Sequence, residues 1–266
     1  MRPRRAAVRL ARFWLGIVVA LALLGPWLAR NTPREPVASA LAAPGPGLPL
    51  GADALGRDFL ARMLAGARLS LGLSGLAAAI AIGAGGAAGF AGAMLGSTVD
   101  RVWLWTTNVL LSVPSLLLAI LLVAAWGPGT LAVVAAVGIG GAPVFSRVTR
   151  SVVLQFLGSG YVAAARAAGA DRLWTSLRHV LPNALPQLAP LAGTQFGWAF
   201  LGTTTLTFLG LAGDPALPEW GAMLNAGRVA LVSAPRLVVI PALAICLTIL
   251  SVHALTAPSE IENPAR

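Results

Sequence analysis

The 266 residues are 57% hydrophobic and 11% charged, with mean hydropathy +0.81, too little polar surface to coat a soluble globule, so the chain reads as a polytopic membrane protein. Its net charge of +10 comes wholly from arginine. Without lysine it can build neither a phosphate-binding P-loop nor a Schiff base, so any ATP that drives it is bound elsewhere. One cysteine and two histidines argue against a disulfide framework or a thiolate metal site.

A bilayer core takes about 20 apolar residues per helix. Six segments meet that length, at about 13–29, 69–95, 102–126, 130–148, 185–211 and 237–255. They predict an all-α integral membrane protein of six transmembrane helices with both termini on one side. Arg2, Arg4, Arg5, Arg9 and Arg12 before the first segment, and Ala38-Ser39-Ala40 after it, imitate a cleaved secretory leader. The apolar run exceeds the roughly 7–15 residues of a leader core, and the cleavage-like site lies beyond Pro26, Pro33 and Pro36, so a retained anchor is expected. The Pro/Gly-rich run from Pro44 to Gly51 predicts extended, poorly ordered chain. Leu55, Phe59, Leu60, Met63 and Leu64 then recur at helical spacing opposite Arg57 and Arg62, which predicts a helix lying on the membrane surface.

The chain divides on this reading into residues 1–68, an anchor helix and outer loop with its interfacial helix, and residues 69–266, a transmembrane core with a cytoplasmic loop at about 149–184. In the second span, Gly85-xxx-Gly89 and Gly92-xxx-Gly96 predict close helix packing, although a GC-rich coding bias yields the same residues. With the N-terminus inside, 12 of the 19 arginines fall in cytoplasmic segments, Arg266 among them, a positive-inside bias blurred by Arg57, Arg62 and Arg68. The arginines lack aromatic interleaving and suit anionic lipid head groups rather than nucleic acid.

Within the spans, Asn108, Gln195, Thr203, Thr204, Thr205 and Thr207 either line a polar pathway or bond helices together. The spans lack the buried Asp, Glu or His relay of an ion-coupled secondary transporter. A membrane-embedded enzyme would need a nucleophile with its base or paired intramembrane aspartates, and no such set assembles. Cys246 reads as a core hydrophobe and His253 as a helix-end residue. Glu219 and Trp220, in the last outer loop, read either as contacts for an outer partner or, for the tryptophan, as an interfacial anchor.

Between the fourth and fifth spans lies a polar, helix-coding island from Tyr161 to Pro186. Ala163 to Ala168 favour helix, Gly169 is a stop, Asp171 can cap the next helix, and Pro182 ends that one or opens another. Ala163, Ala164, Ala165, Gly169, Leu181 and Pro182 occupy the places of the cytoplasmic loop of ABC importer permeases, which the island resembles. Ala163 stands where that pattern usually has Glu and His179 where it often has Ile, so docking would rest more on shape. The run Leu50-Gly51-Ala52-Asp53-Ala54-Leu55-Gly56-Arg57-Asp58, followed by Ala65 to Leu71, resembles the entry region of dipeptide, oligopeptide and nickel ABC permeases. So do Arg178 to Leu185, and Phe208-Leu209-Gly210-Leu211 with Pro218-Glu219-Trp220-Gly221-Ala222-Met223-Leu224.

The resemblance implies a type I ABC importer permease fold with cytoplasmic coupling helices, in a bacterial inner membrane with both termini cytoplasmic. It implies a heterodimer with a second, homologous permease, two ATPase subunits that carry the ATP and Mg, and an extracytoplasmic substrate-binding protein. No cofactor is then held by this chain. The ATPase-coupling loop maps onto Ala163, Ala164, Ala165, Arg166, Gly169, Ala170, Asp171, Leu181 and Pro182. Asn108, Gln195, Thr204 and Thr207 are the pathway or helix-contact candidates. Di- or oligopeptides are the implied cargo, with nickel, haem or another small solute as alternatives.

Overall fold

The computed structural model describes residues 2–95 and 97–257. Ten α-helices run α1 Arg2–Leu28, α2 Phe59–Met94, α3 Ser97–Ser112, α4 Ser115–Trp126, α5 Thr130–Leu157, α6 Gly160–Ala167, α7 Arg172–Thr175, α8 Leu181–Phe208, α9 Trp220–Gly227 and α10 Arg236–Thr256. A π-helical turn, Ser176–Val180, joins α7 to α8. Four helices (α1, α2, α5 and α10) are long and apolar enough to cross a membrane, and the bent α3–α4 pair makes a fifth candidate. α8 has 28 residues, about 42 Å at 1.5 Å per residue, but Asn183, Gln187, Gln195 and its threonines dilute its apolar character. Arg266 and Gly96 lie outside the described residues.

Residues 102–126, expected as one span, form two helices bent by 89°. Pro114 is the cause: it has no N–H to bond backward and it drives Val113 out of the helical region. Nor do residues 59–68 form a separate surface helix. The Asp58 carboxylate caps α2 by accepting from the amides of Leu60 and Ala61, and the helix then continues unbroken for 36 residues. Arg57 and Arg62, expected on an exposed polar face, are 4% and 1% exposed because Asp53 binds both, at 2.7 Å and 3.3 Å.

The Pro/Gly-rich stretch is also held in place. At the start of α10 the Arg236 guanidinium donates to the carbonyls of Leu41, Ala42, Leu50 and Ala52. Gly56 has φ +75° and a Cβ there would strike the Ala38 carbonyl, so only glycine fits the turn.

α2 and α5 form the most extensive helix pair. Gly85 and Gly89 place α2 directly on the α5 backbone at Ala142 and Ser146, which settles the first glycine pair as a packing surface. Outside this pair, Val18 and Ala22 of α1, Phe59 and Ala67 of α2, Phe200 of α8, Trp220 and Met223 of α9 and Leu237 of α10 make one core towards the end where α2 begins. Ala119, Val123, Val133, Ala136 and Leu206 make a second between α4, α5 and α8. At the end where α2 finishes, Ala93, Val153, Val162 and Val180 clamp the root of the loop that carries α6 and α7.

Candidate functional site

α6 ends on Ala168 with a two-bond closure. The amide of Gly169 donates to Arg166 O at 2.9 Å and that of Ala170 to Ala165 O at 3.0 Å. This geometry demands a left-handed residue, and Gly169 supplies φ +89°. Two residues on, the Asp171 carboxylate accepts from the amides of Leu173 and Trp174, starting α7 as the sequence predicted. Thr175 and Ser176 bond back to the carbonyls of Asp171 and Arg172, and the π-helical turn follows. Pro182 falls in the first turn of α8 directly after the π-helical turn, a change of register at the place where its missing N–H interrupts the ladder.

Val162 anchors α6 from beneath, leaving Ala163, Ala164, Arg166, Gly169, Asp171 and Pro182 exposed and Ala165, Ala170 and Leu181 half-buried. Beside the alanines, Leu173, Trp174 and Leu177 are 56%, 53% and 50% exposed. Exposed apolar residues grouped on a polar loop mark an interaction surface, with a protein or with the membrane, and these three were not singled out from the sequence. Trp174 rests edge-on against His179 with ring centroids 5.2 Å apart. Arg166 and Arg178 flank the patch, whereas Arg172 reaches back to the Ala93 carbonyl at the end of α2. The loop is thereby a rigid knob tied to α2 and α5.

Of the polar span residues, Asn108 accepts from Arg147 and links α3 to α5. Thr203 pairs with Ser74 at 2.6 Å and Thr207 donates to Glu219, so these two serve contacts between elements, whereas the Thr204 hydroxyl bonds to carbonyls of its own helix, Phe200 O and Leu201 O. Gln195 is different: it lies over Gly141 and, with Thr205, lines a cavity of about 440 Å³ between α4, α5 and α8. The C-terminal part of α5 is fixed to α3 by a two-bond Arg150–Asp100 pair at 2.5 Å and 2.6 Å.

The end of the bundle that carries α9 holds a buried carboxylate. Glu219 caps α9 through the Ala222 amide, and its oxygens accept from Ser70 at 2.7 Å and Thr207 at 2.5 Å. Burial pushes this carboxyl up from the usual glutamate range, against the pull of the Thr207 and Ser70 hydroxyls. Trp220 donates from its indole to Met63 O and its ring leaves room only for glycine at position 66. Both residues are buried, which corrects the expectation of an outer contact or an interfacial anchor: they lock α9 onto α2 and α8.

A family model described as binding-protein-dependent transport system inner membrane component matches residues 79–257. The chain is 38% identical over 248 residues to the di/tripeptide transport system permease protein DppC of Pseudomonas aeruginosa, covering 89% of this chain and 80% of that protein. It is 37% identical to glutathione transport system permease proteins GsiD of Pectobacterium atrosepticum and Escherichia coli, covering 77% of this chain and 68% of those proteins in each case. The chain therefore belongs to the binding-protein-dependent transport system inner membrane components.

Proposed function

We propose that this chain is one of two related permease subunits of an ATP-driven importer, and that its half of the pathway carries di- or oligopeptides delivered by an extracytoplasmic binding protein. The cargo reading is supported by the relatives, whose names specify di/tripeptides and glutathione. ATP and Mg reside on two ATPase subunits beneath, and this chain holds no cofactor. Both termini are cytoplasmic, α8 is the fifth of six spans, and the permease core lies within residues 69–266.

The observation that carries the coupling role is the α6–Gly169–α7 knob. Its exposed Ala163, Ala164, Leu173, Trp174 and Leu177 suit a groove in a partner, and its root is clamped to α2 and α5. Closure of the ATPase pair would push the knob and rotate α2, α5 and α8 as one packed body. The test is co-purification with the ATPase and second permease, then uptake of a labelled dipeptide into proteoliposomes holding ATP and supplied with binding protein. Trp174→Asp is expected to insert normally yet lose the ATPase and uptake. Retained ATPase binding in that variant, or uptake without ATP, would defeat the proposal.

A further inference from the structure

A cavity of about 240 Å³ opens at the outer end between the 53–62 turn, Pro215, α9 and the start of α10. Its floor is charged out of balance. Asp53 is the single carboxylate there and is fully used: Oδ2 accepts from Arg57 Nε and meets Arg62 Nε, while Oδ1 accepts from the amides of Leu55 and Arg57. Arg62 spends its remaining nitrogens on the carbonyls of Pro33, Ala216 and Leu217. Arg57 does not. It is 4% exposed, it lines the cavity, and its Nη1 and Nη2 donate to no atom among the described residues. The nearby Arg34–Asp214 pair is neutral in sum, and the buried Asp58 carboxylate is turned away from the cavity, onto Asn31 and the amides of Leu60 and Ala61, so the described groups lining the cavity are two guanidiniums and one carboxylate.

The unpaired guanidinium edge opens onto the cavity rather than being sealed from water, and its planar fork matches a carboxylate in two parallel bonds. The walls are apolar, with Leu55, Phe59, Met223 and Leu237 facing the same space, so a single negative charge on an apolar body fits better than a phosphate dianion. The volume lies below the roughly 300–1,000 Å³ of pockets that enclose a drug-sized ligand, which limits the occupant to a group of one-residue size.

We propose that this cavity binds the carboxylate of a small acylated amino acid or of an equivalent chain end, with the Arg57 fork on the carboxylate and the apolar side chain against Phe59, Met223 and Leu237. The site lies at the end of α2 opposite the coupling knob and does not depend on the cargo assigned above.

The full-length chain, purified in lipid nanodiscs with the subunits that accompany it, is titrated with N-acetyl-leucine and with N-acetyl-leucinamide by calorimetry. The acid is expected to bind saturably and to raise the thermal unfolding midpoint, and the amide to do neither. Arg57→Gln should weaken the acid at least about tenfold. That variant also strips Asp53 of a partner, so Ala226→Leu serves as the second: it fills the exposed rim of the cavity, keeps the Arg57–Asp53 pair, and should block the acid while leaving the ligand-free midpoint unchanged. Equal binding of acid and amide, no binding of the acid, or binding that survives Ala226→Leu would overturn the proposal.

Discussion

Substitution at Gly169 isolates the backbone geometry of the α6–α7 knob and tests its proposed coupling role. A Cβ at this position meets no atom within 4 Å, so the cost of any side chain is conformational alone. At φ +89° an alanine costs about 1–2 kcal/mol, asparagine less, and a β-branched valine more. That lowers the population of the closed α6 terminus by a factor of roughly 5–30 for alanine. ATPase retention and peptide uptake should then fall in the order Gly, Asn, Ala, Val, while membrane insertion stays constant. Pull-down of the ATPase and proteoliposome uptake read the two effects side by side. If Gly169→Val coupled as well as the parent, or if asparagine were worse than valine, the left-handed closure would not be what presents the knob.

Glu219 gives a pH test. Its carboxyl is raised in the folded state, so the fold binds the proton more tightly than the unfolded chain does. Stability is highest below the ordinary glutamate range and declines as pH rises towards the raised value, then levels off. Glu219→Gln should abolish that decline in a thermal melt followed by tryptophan fluorescence, and an unchanged pH profile would contradict the assignment. Glu219→Ala removes the α9 cap, worth about 0.5–2 kcal/mol, and leaves Ser70 and Thr207 without their acceptor, so its midpoint should fall below that of the glutamine variant. Gly89→Val drives a side chain into the Ser146 carbonyl and is expected to abolish folded protein in a size-exclusion assay, since overpacking costs about 1–3 kcal/mol even where side chains can yield. Arg236→Ala frees four carbonyl acceptors; limited proteolysis should then cut within residues 41–52, and lysine, which lacks the fork, should not restore protection.

The apolar runs announced the membrane spans because lipid demands long unbroken apolar helices, and Gly169 and Asp171 announced the knob because local backbone chemistry decides helix ends. What stayed hidden was long-range pairing. Arg57 and Arg62 lie at helical spacing for an exposed face, and only the fold brings Asp53 against both. Pro114 was visible as a residue, yet the apolar residues on either side of it suggested one span; the sharp bend it imposes reflects how α4 then packs on α5 through Ala119, Val123, Val133 and Ala136. Glu219 and Trp220 looked like surface chemistry because their partners, Ser70 and Met63, are far away in sequence.

α2 is a strut that runs the full depth of the molecule. Its 36 residues measure about 54 Å, from the Asp58 cap at one end to the Ala93 carbonyl gripped by Arg172 at the other. A tilt of about 5° around the midpoint carries each tip about 2 Å in opposite directions. No proline interrupts α2 between these two ends, and Asp53 and Glu219 are tied to it through Arg62 and Ser70, so a tilt of the helix displaces the loop at one end and both carboxylates at the other.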